Sequence, residues 1–167
     1  AEHVQQPFAT QVVFRLGEVP ALFVHRHDQA PGEATHPSRA VQQCAGAGGV
    51  GLNITGNVMV DRHVIERPGN VAIDIRHPPS VDEAARARLR AWAAAGTAHG
   101  AQLWMQLSHA GRQSPRYATR QPVGPSAVTL DLLGSYKTPR ALEDAEIGEI
   151  IERFGAAAKV AQECGFT

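Results

Sequence analysis

Two short apolar segments constrain the fold of this chain more than any other feature. Residues 50–60 read VGLNITGNVMV and are rich in β-branched side chains, and residues 101–107 read AQLWMQL. The second segment lies between Gly100 and the sequence Ser-His-Ala-Gly. Short apolar runs bounded by turn residues are typical of buried strands. We therefore expect two strands, both inside the protein.

The segment between these strands predicts a helix. Residues 80–83 have the S-x-x-E form of a capping box, in which the serine and glutamate side chains satisfy free N–H groups at a helix start. Apolar residues then recur at helical spacing, and the stripe consists of Val81, Ala85, Leu89 and Trp92. Gly100 would end the helix after about five turns. Two strands joined by a helix form a right-handed βαβ unit, so we expect a parallel sheet.

A second helix is predicted from Asp144 to Cys164, with Gly165 as its cap. Its apolar stripe comprises Ile147, Ile150, Ile151, Phe154, Ala157, Ala158 and Ala161. Phe166 and Thr167 resemble the start of another strand. A complete parallel β/α barrel needs about 250 residues, whereas this chain has 167. We therefore expect a truncated chain that carries only a partial barrel.

Composition narrows the class of protein. The formal charge is zero and the charged residues of both signs are intermixed, which argues against nucleic acid or an anionic membrane as a partner. Cys44 and Cys164 lie far apart and have no neighbours at metal-ligand spacing, so we expect neither a disulfide nor a metal site. No secretory leader and no apolar run of about 18 residues is evident. We expect a soluble, cytoplasmic protein, and self-association as a homo-oligomer stays open.

The N-terminal segment, residues 1–47, is atypical. It mixes Pro, His, Arg and Gln without a sustained period, and only residues 21–24 suggest a short strand. His25 and His27 have no third ligand in register, so they are interpreted as solvated loop histidines and not as a zinc site. We expect this segment to be poorly organised.

Residues 46–51 match the G-x-G-x-x-G pattern of dinucleotide-binding proteins. That mechanism requires a strand before the glycines and a helix after them, so that the helix N-terminus holds the pyrophosphate. Here a predicted strand follows the glycines. A flexible turn is therefore the better interpretation.

Polar residues cluster at the end of the second strand, where parallel β/α folds bind their ligands. The cluster consists of Gln106, Ser108, His109 and Arg112. A glutamine amide both donates and accepts hydrogen bonds, which suits a planar heterocycle with alternating N–H and C=O groups, such as the pyrimidine edge of a flavin. Loops at strand ends are commonly polar without binding anything, so the residues alone leave both interpretations open.

The sequence of residues 106–112, QLSHAGR, resembles the QLxHAGR motif of the old yellow enzyme family of flavin oxidoreductases. Residues 49–61 resemble the second strand of that family, residues 124–127 its loop after strand three, and residues 139–147 the entry to its third helix. Several ordered motifs at the spacing of the family are far more specific than any one of them. The resemblance covers residues 48–167.

The resemblance implies a (β/α)8 TIM barrel that carries FMN and passes a hydride from NAD(P)H to an activated alkene, a small-molecule substrate. Residues 48–167 would then be a partial FMN-binding barrel that contains strands two and three with their helices. Gln106 would bind the pyrimidine edge of the flavin, and Gly56 and Asn57 would lie beside its ring. His109 and Arg112 would have structural roles. No catalytic residue is assigned.

Three parts of the family pattern have no match. No asparagine-arginine start precedes residue 48, the His-x-x-His or His-x-x-Asn pair that grips the substrate carbonyl would follow Thr167, and the phosphate-binding strands seven and eight are missing. We therefore expect the chain alone to bind FMN weakly or not at all and to be inactive. The alternatives are a non-catalytic α/β half-barrel binding module and a different phosphate-binding barrel enzyme. The second alternative lacks a base and nucleophile pair.

Overall fold

A computed structural model describes residues 11–13, 22–24, 42 and 44–167 of the chain, the first two ranges by their backbone only. The strands are β1 (Gln11–Val13), β2 (Leu22–Val24), β3 (Leu52–Met59), β4 (Gln102–Ser108), β5 (Val123–Gly124) and β6 (Arg140–Ala141). The helices are α1 (Glu83–Gly96) and α2 (Asp144–Glu163).

The strands β3 and β4 pair in parallel, as the two apolar segments predicted. Leu52 lies opposite Gln102 at one end and Met59 opposite Ser108 at the other. The register shifts between Ile54 and Asn57, because β3 carries one extra residue there. Within this bulge the Gln106 N–H donates to the Thr55 hydroxyl, 2.9 Å away. The bulge brings Asn57 directly opposite Gln106.

Both helices pack on the same face of the β3–β4 pair. The core between the helices and the strands contains Val58, Leu89, Trp92, Ala93, Leu103, Ala157, Val160, Ala161 and Phe166. At Gly96 a Cβ atom would come within 2.4 Å of a Leu103 methyl carbon, so the close approach of α1 to β4 requires glycine. The apolar stripe predicted for α1 is confirmed at Ala85, Leu89 and Trp92, which are buried, whereas Val81 precedes the helix and is only partly buried.

The predicted ends of α1 were wrong. Asp82 is the N-cap, because its carboxylate accepts from the Ala85 N–H at 2.7 Å. Ser80 lies in a preceding 3-10 turn and its hydroxyl donates to the carbonyls of Asp74 and His77. The helix ends at Gly96, and a further 3-10 turn reaches Gly100. The serine of the supposed capping box is therefore used by a turn before the helix.

The bounds predicted for α2 are confirmed within one residue. The Glu143 N–H donates to the Glu146 carboxylate at 2.9 Å, which satisfies one free N–H of the first turn. The predicted stripe is only half correct: Ala157 and Ala161 are buried, whereas Ile151 is 66% exposed and Ala158 is also exposed. Arg153 is buried instead.

Near the N-terminus, β1 and β2 form an antiparallel pair, which agrees with the short strand predicted at residues 21–24. His25 and His27 lie outside the described residues, and the poor organisation expected for residues 1–47 stays a prediction. Residues 44–47 are helical and include Gly46, the first glycine of the G-x-G-x-x-G pattern; Gly48 and Gly49 form a turn that leads to β3. This order, with the helix before the glycines and the strand after them, is the reverse of a dinucleotide-binding loop.

Phe166 and Thr167 lie beside β4. The Thr167 N–H donates to the Leu103 carbonyl at 3.0 Å, and the Leu103 N–H donates to the Thr167 hydroxyl at 2.8 Å. The structure assigns no strand to these two residues, so the expected start of another strand stays a prediction. In the part of the chain that the structure describes, no helix is long and apolar enough to span a bilayer.

Candidate functional site

The alternation of β4 creates a face that the helices do not cover. Leu103 is buried, and Met105 and Leu107 pack against the helix-side core. The intervening residues Gln102, Trp104 and Gln106 are exposed, and Trp104 is 52% exposed. Successive side chains of a strand point to opposite faces, so these three residues share one side of the sheet. We call this side the open face.

The predicted ligand residues Gly56, Asn57 and Gln106 come together at the carboxyl ends of β3 and β4. Asn57 is half-buried and lies opposite Gln106 in the register of the sheet. The side-chain nitrogen of Gln106 donates to the side-chain oxygen of Asn57. Gln106 is exposed, so its Oε1 and its second N–H remain available on the open face.

Gly56 belongs to the bulge and is exposed. A Cβ atom added at this position would meet nothing within 4 Å. No contact among the described residues therefore demands glycine here. The position leaves space next to Asn57 that a flat molecule could use.

Glu66 joins this group, and sequence reasoning missed it. Its carboxylate accepts a hydrogen bond from the side-chain nitrogen of Asn57. Glu66 lies in the loop after β3, where no strand or helix periodicity marks its direction. We call the three residues Glu66, Asn57 and Gln106 the amide relay.

A second polar cluster lies at the same end of β3 but is buried. The Arg153 guanidinium of α2 pairs with the Asp61 carboxylate, and both side chains are less than 10% exposed. Arg76 approaches Asp61 at 3.8 Å, and Glu149 lies 3.7 Å from Arg153. Sequence reasoning missed this ion pair, because the apolar stripe predicted for α2 did not include Arg153 and no pattern marked Asp61 as its partner. It fastens α2 to the end of β3.

The buried cluster shifts two pKa values. Burial alone would raise the pKa of Asp61, but the His63 N–H, the Arg153 hydrogen bond and the nearby positive charges outweigh it, so the pKa lies below its usual value. Burial lowers the pKa of His109, and the Arg153 charge lowers it further against the attraction of Asp61. At neutral pH, Asp61 is therefore ionised and His109 is neutral.

The other members of the predicted polar cluster do not join the amide relay. The Ser108 carbonyl accepts the Val60 N–H at 2.9 Å, which extends the strand pairing. His109 is half-buried beside the Asp61–Arg153 pair, and Arg112 is exposed in a 3-10 turn at Gly111–Gln113. Of the four residues in the predicted polar cluster, only Gln106 has a side-chain hydrogen bond to Asn57. The structural roles expected for His109 and Arg112 stay predictions.

Comparison with known proteins gives this geometry a family context. The chain is 35% identical over 131 residues to the NADH-dependent flavin oxidoreductase nadA of Aspergillus parasiticus. It is 42% identical over 113 residues to an NADH oxidase of Thermoanaerobacter brockii. The alignments cover 72% and 66% of this chain, but only 28% and 16% of those relatives.

Solved structures of other proteins also resemble the fold of this chain. Morphinone reductase in complex with tetrahydroNAD superimposes with a TM-score of 0.63 at 25% identity, over 83% of this chain and 39% of that protein. The old yellow enzyme homologue of Zymomonas mobilis superimposes with a TM-score of 0.62 at 25% identity, over 78% of this chain and 37% of that protein. These neighbours imply that the parallel strands and helices are part of a (β/α)8 barrel fold.

The family model for NADH:flavin oxidoreductases and NADH oxidases matches residues 49–167. This family uses FMN, with NAD(P)H as the hydride donor, so the cofactors implied by the QLSHAGR motif are confirmed at the level of the family. The chain belongs to the NADH:flavin oxidoreductase / NADH oxidase family.

Proposed function

We propose that this chain is the N-terminal part of an FMN-dependent NAD(P)H oxidoreductase of the ene-reductase type. The FMN would pass a hydride from NAD(P)H to an activated alkene. In this proposal β3 and β4 are the second and third strands of the barrel, and their carboxyl ends face the cofactor. The match to morphinone reductase over 39% of its length supports the proposal.

The observation that carries the proposal is the Gln106–Asn57 pair on the open face. The pair lies where parallel strands end, which is the ligand side of a β/α barrel. Gln106 keeps one acceptor and one donor for a ligand. The pyrimidine edge of a flavin presents donors and acceptors in alternation, so a single amide can make two hydrogen bonds to it.

Gly56 supports the same assignment. The described protein leaves open space around a Cβ at this position, so packing does not account for the glycine. A planar ring that rests against the strand end would account for it, because any side chain there would occupy the space of the ring. We propose that Gly56 and Asn57 lie beside the isoalloxazine and that Gln106 binds its edge.

The test is an FMN titration of the full-length enzyme and of this chain alone. We expect the full-length enzyme to bind FMN and the isolated chain to bind it weakly or not at all, and to be inactive. A submicromolar dissociation constant for the isolated chain, about −8 kcal/mol or better, would contradict that expectation. A full-length protein without flavin absorbance would favour the non-catalytic binding module instead.

A further inference from the structure

The amide relay runs in one direction from a carboxylate to the open face. Asn57 donates through its side-chain nitrogen to the Glu66 carboxylate. The side-chain oxygen of Asn57 accepts from the side-chain nitrogen of Gln106. The three side chains therefore form a continuous series that ends on the exposed Gln106 amide.

The chemistry of the first member determines the orientation of the other two. An ionised carboxylate only accepts hydrogen bonds, whereas an amide can present either its oxygen or its nitrogen after a half-turn. Asn57 must therefore turn its nitrogen to Glu66, which leaves its oxygen for Gln106. Gln106 must then donate through its nitrogen, which leaves Oε1 directed away from Asn57.

Glu66 is itself held in place by a turn. The N–H groups of Glu66 and Arg67 both donate to the side-chain oxygen of Asn70, at 3.2 and 3.0 Å. Gly69 has a φ of +83°, a backbone conformation that glycine adopts without strain. The turn positions the carboxylate next to Asn57 independently of any ligand.

We propose that Glu66 is a positioning residue that determines which end of the Gln106 amide meets the flavin. With Glu66 in place, Oε1 of Gln106 accepts from a ring N–H such as N3–H of the isoalloxazine. This inference rests on the proposed function, because it requires that the Gln106 amide faces FMN. It adds that Glu66 acts through Asn57 and not on the flavin directly. Glu66 thereby determines whether the Gln106 amide presents its oxygen or its nitrogen to the ring.

The proposal predicts opposite results for two substitutions of one residue. In Glu66→Lys an ammonium group can only donate, so Asn57 would turn its oxygen outward to Lys and its nitrogen to Gln106. Gln106 would then present its nitrogen to the flavin N3–H, and two donors would face each other. In Glu66→Gln the side-chain carbonyl can still accept from Asn57. This arrangement also lets Oε1 of Gln106 accept from the flavin N3–H, so we expect the original orientation to be kept.

The experiment measures FMN affinity and the N3–H resonance of ¹⁵N-labelled FMN in the full-length enzyme. We expect Glu66→Lys to lower FMN affinity about tenfold to hundredfold, the range for one lost and unsatisfied hydrogen bond. We also expect the N3–H resonance to lose its downfield shift. Glu66→Gln should retain both properties. Glu66→Arg, whose guanidinium also only donates, serves in place of the lysine variant if that variant does not fold.

The matched control is Glu152→Lys, which makes the same charge change at an exposed residue of α2. An equal loss of affinity in this control would show a general charge effect and overturn the proposal. Retention of the N3–H shift in Glu66→Lys or Glu66→Arg would also overturn it. FMN binding by the wild-type enzyme would in that case leave the proposed function standing. Absence of FMN binding in the wild-type enzyme would instead reject the proposed function itself.

Discussion

The two polar clusters at the carboxyl end of β3 differ in what surrounds them. The Asp61–Arg153 pair lies on the helix side with both side chains less than 10% exposed. The amide relay lies on the open face and ends on the exposed Gln106. A buried charge needs its partner in order to remain buried, whereas an exposed amide can change partner at little cost. The first cluster therefore stabilises the fold, and the second is available to a ligand.

The largest expected effect tests the buried cluster. Arg153→Met removes the partner of a buried carboxylate and should lower the free energy of unfolding by about 3 to 5 kcal/mol, measured by urea denaturation of the full-length enzyme. Replacing both charges, in Asp61→Leu with Arg153→Met, should recover most of that loss because no charge is then left unpaired. A double variant as unstable as the single one would contradict this interpretation.

The next effect tests the open face. Gln106→Leu should weaken FMN binding by about tenfold to hundredfold, or about 1 to 3 kcal/mol, because polar atoms of the flavin lose their partner. The free energy of unfolding should change by only about 0.5 kcal/mol, since Gln106 is exposed. Fluorescence titration of FMN in the full-length enzyme measures the first quantity.

Gln102 provides the control on the same strand. It lies four residues before Gln106 on the same face but at the opposite end of β4, away from Asn57. Gln102→Leu should leave FMN affinity nearly unchanged. If the two variants lose FMN equally, Gln106 acts through stability and not through the flavin.

A third effect depends on pH. The folded-state pKa of His109 is below 6.5, so the unfolded chain takes up a proton first as the pH falls. The stability contributed by neutral His109 is present above pH 6.5 and is lost below it, at a slope of at most about 1.4 kcal/mol per pH unit. The pKa of Asp61 is also lowered, and its contribution is lost only below about pH 3.8.

His109→Gln should therefore flatten the stability curve as the pH falls below 6.5, and should leave in place the loss that Asp61 contributes below about pH 3.8. Thermal unfolding at a series of pH values measures this difference. If the variant and the wild-type protein have the same slope below pH 6.5, His109 does not titrate with folding.

The smallest expected effect concerns the exposed end of the buried cluster. Glu149 is 55% exposed and lies 3.2 Å from Arg76 and 3.7 Å from Arg153. Glu149→Gln should change the free energy of unfolding by less than about 1 kcal/mol, because solvent screens an exposed ion pair. A loss comparable to that of Arg153→Met would mean that Glu149, and not Asp61, is the main partner of Arg153.

Sequence patterns predicted the elements of the fold because those patterns are local. A short apolar run bounded by turn residues on both sides identified β4. A period of 3.6 located α2 within one residue. Gln106 was predicted as a ligand residue by the QLSHAGR motif and by its position at a strand end. Gly56 and Asn57 were predicted by the resemblance of residues 49–61 to the second strand of the family. Their role toward the flavin stays a proposal.

The errors had two causes: a residue could choose between hydrogen-bond partners, or another element covered only part of a helix face. Ser80 could have capped α1, but its hydroxyl bonds to carbonyls of the preceding turn and Asp82 caps the helix. Ile151 fits the apolar stripe of α2, yet it is 66% exposed. Helical spacing tells which residues share a face, but it does not tell how much of that face another element covers.

The sequence by itself determined the parallel βαβ unit, the family and the strand end at which Gln106 lies. Only the tertiary structure placed Arg153 against Asp61 and Glu66 against Asn57. Arg153 and Asp61 are brought together by the packing of α2 on the sheet, and Glu66 is brought back to its own strand by a loop. Such contacts depend on how separate segments of the chain pack against each other, and no local period of side chains encodes them.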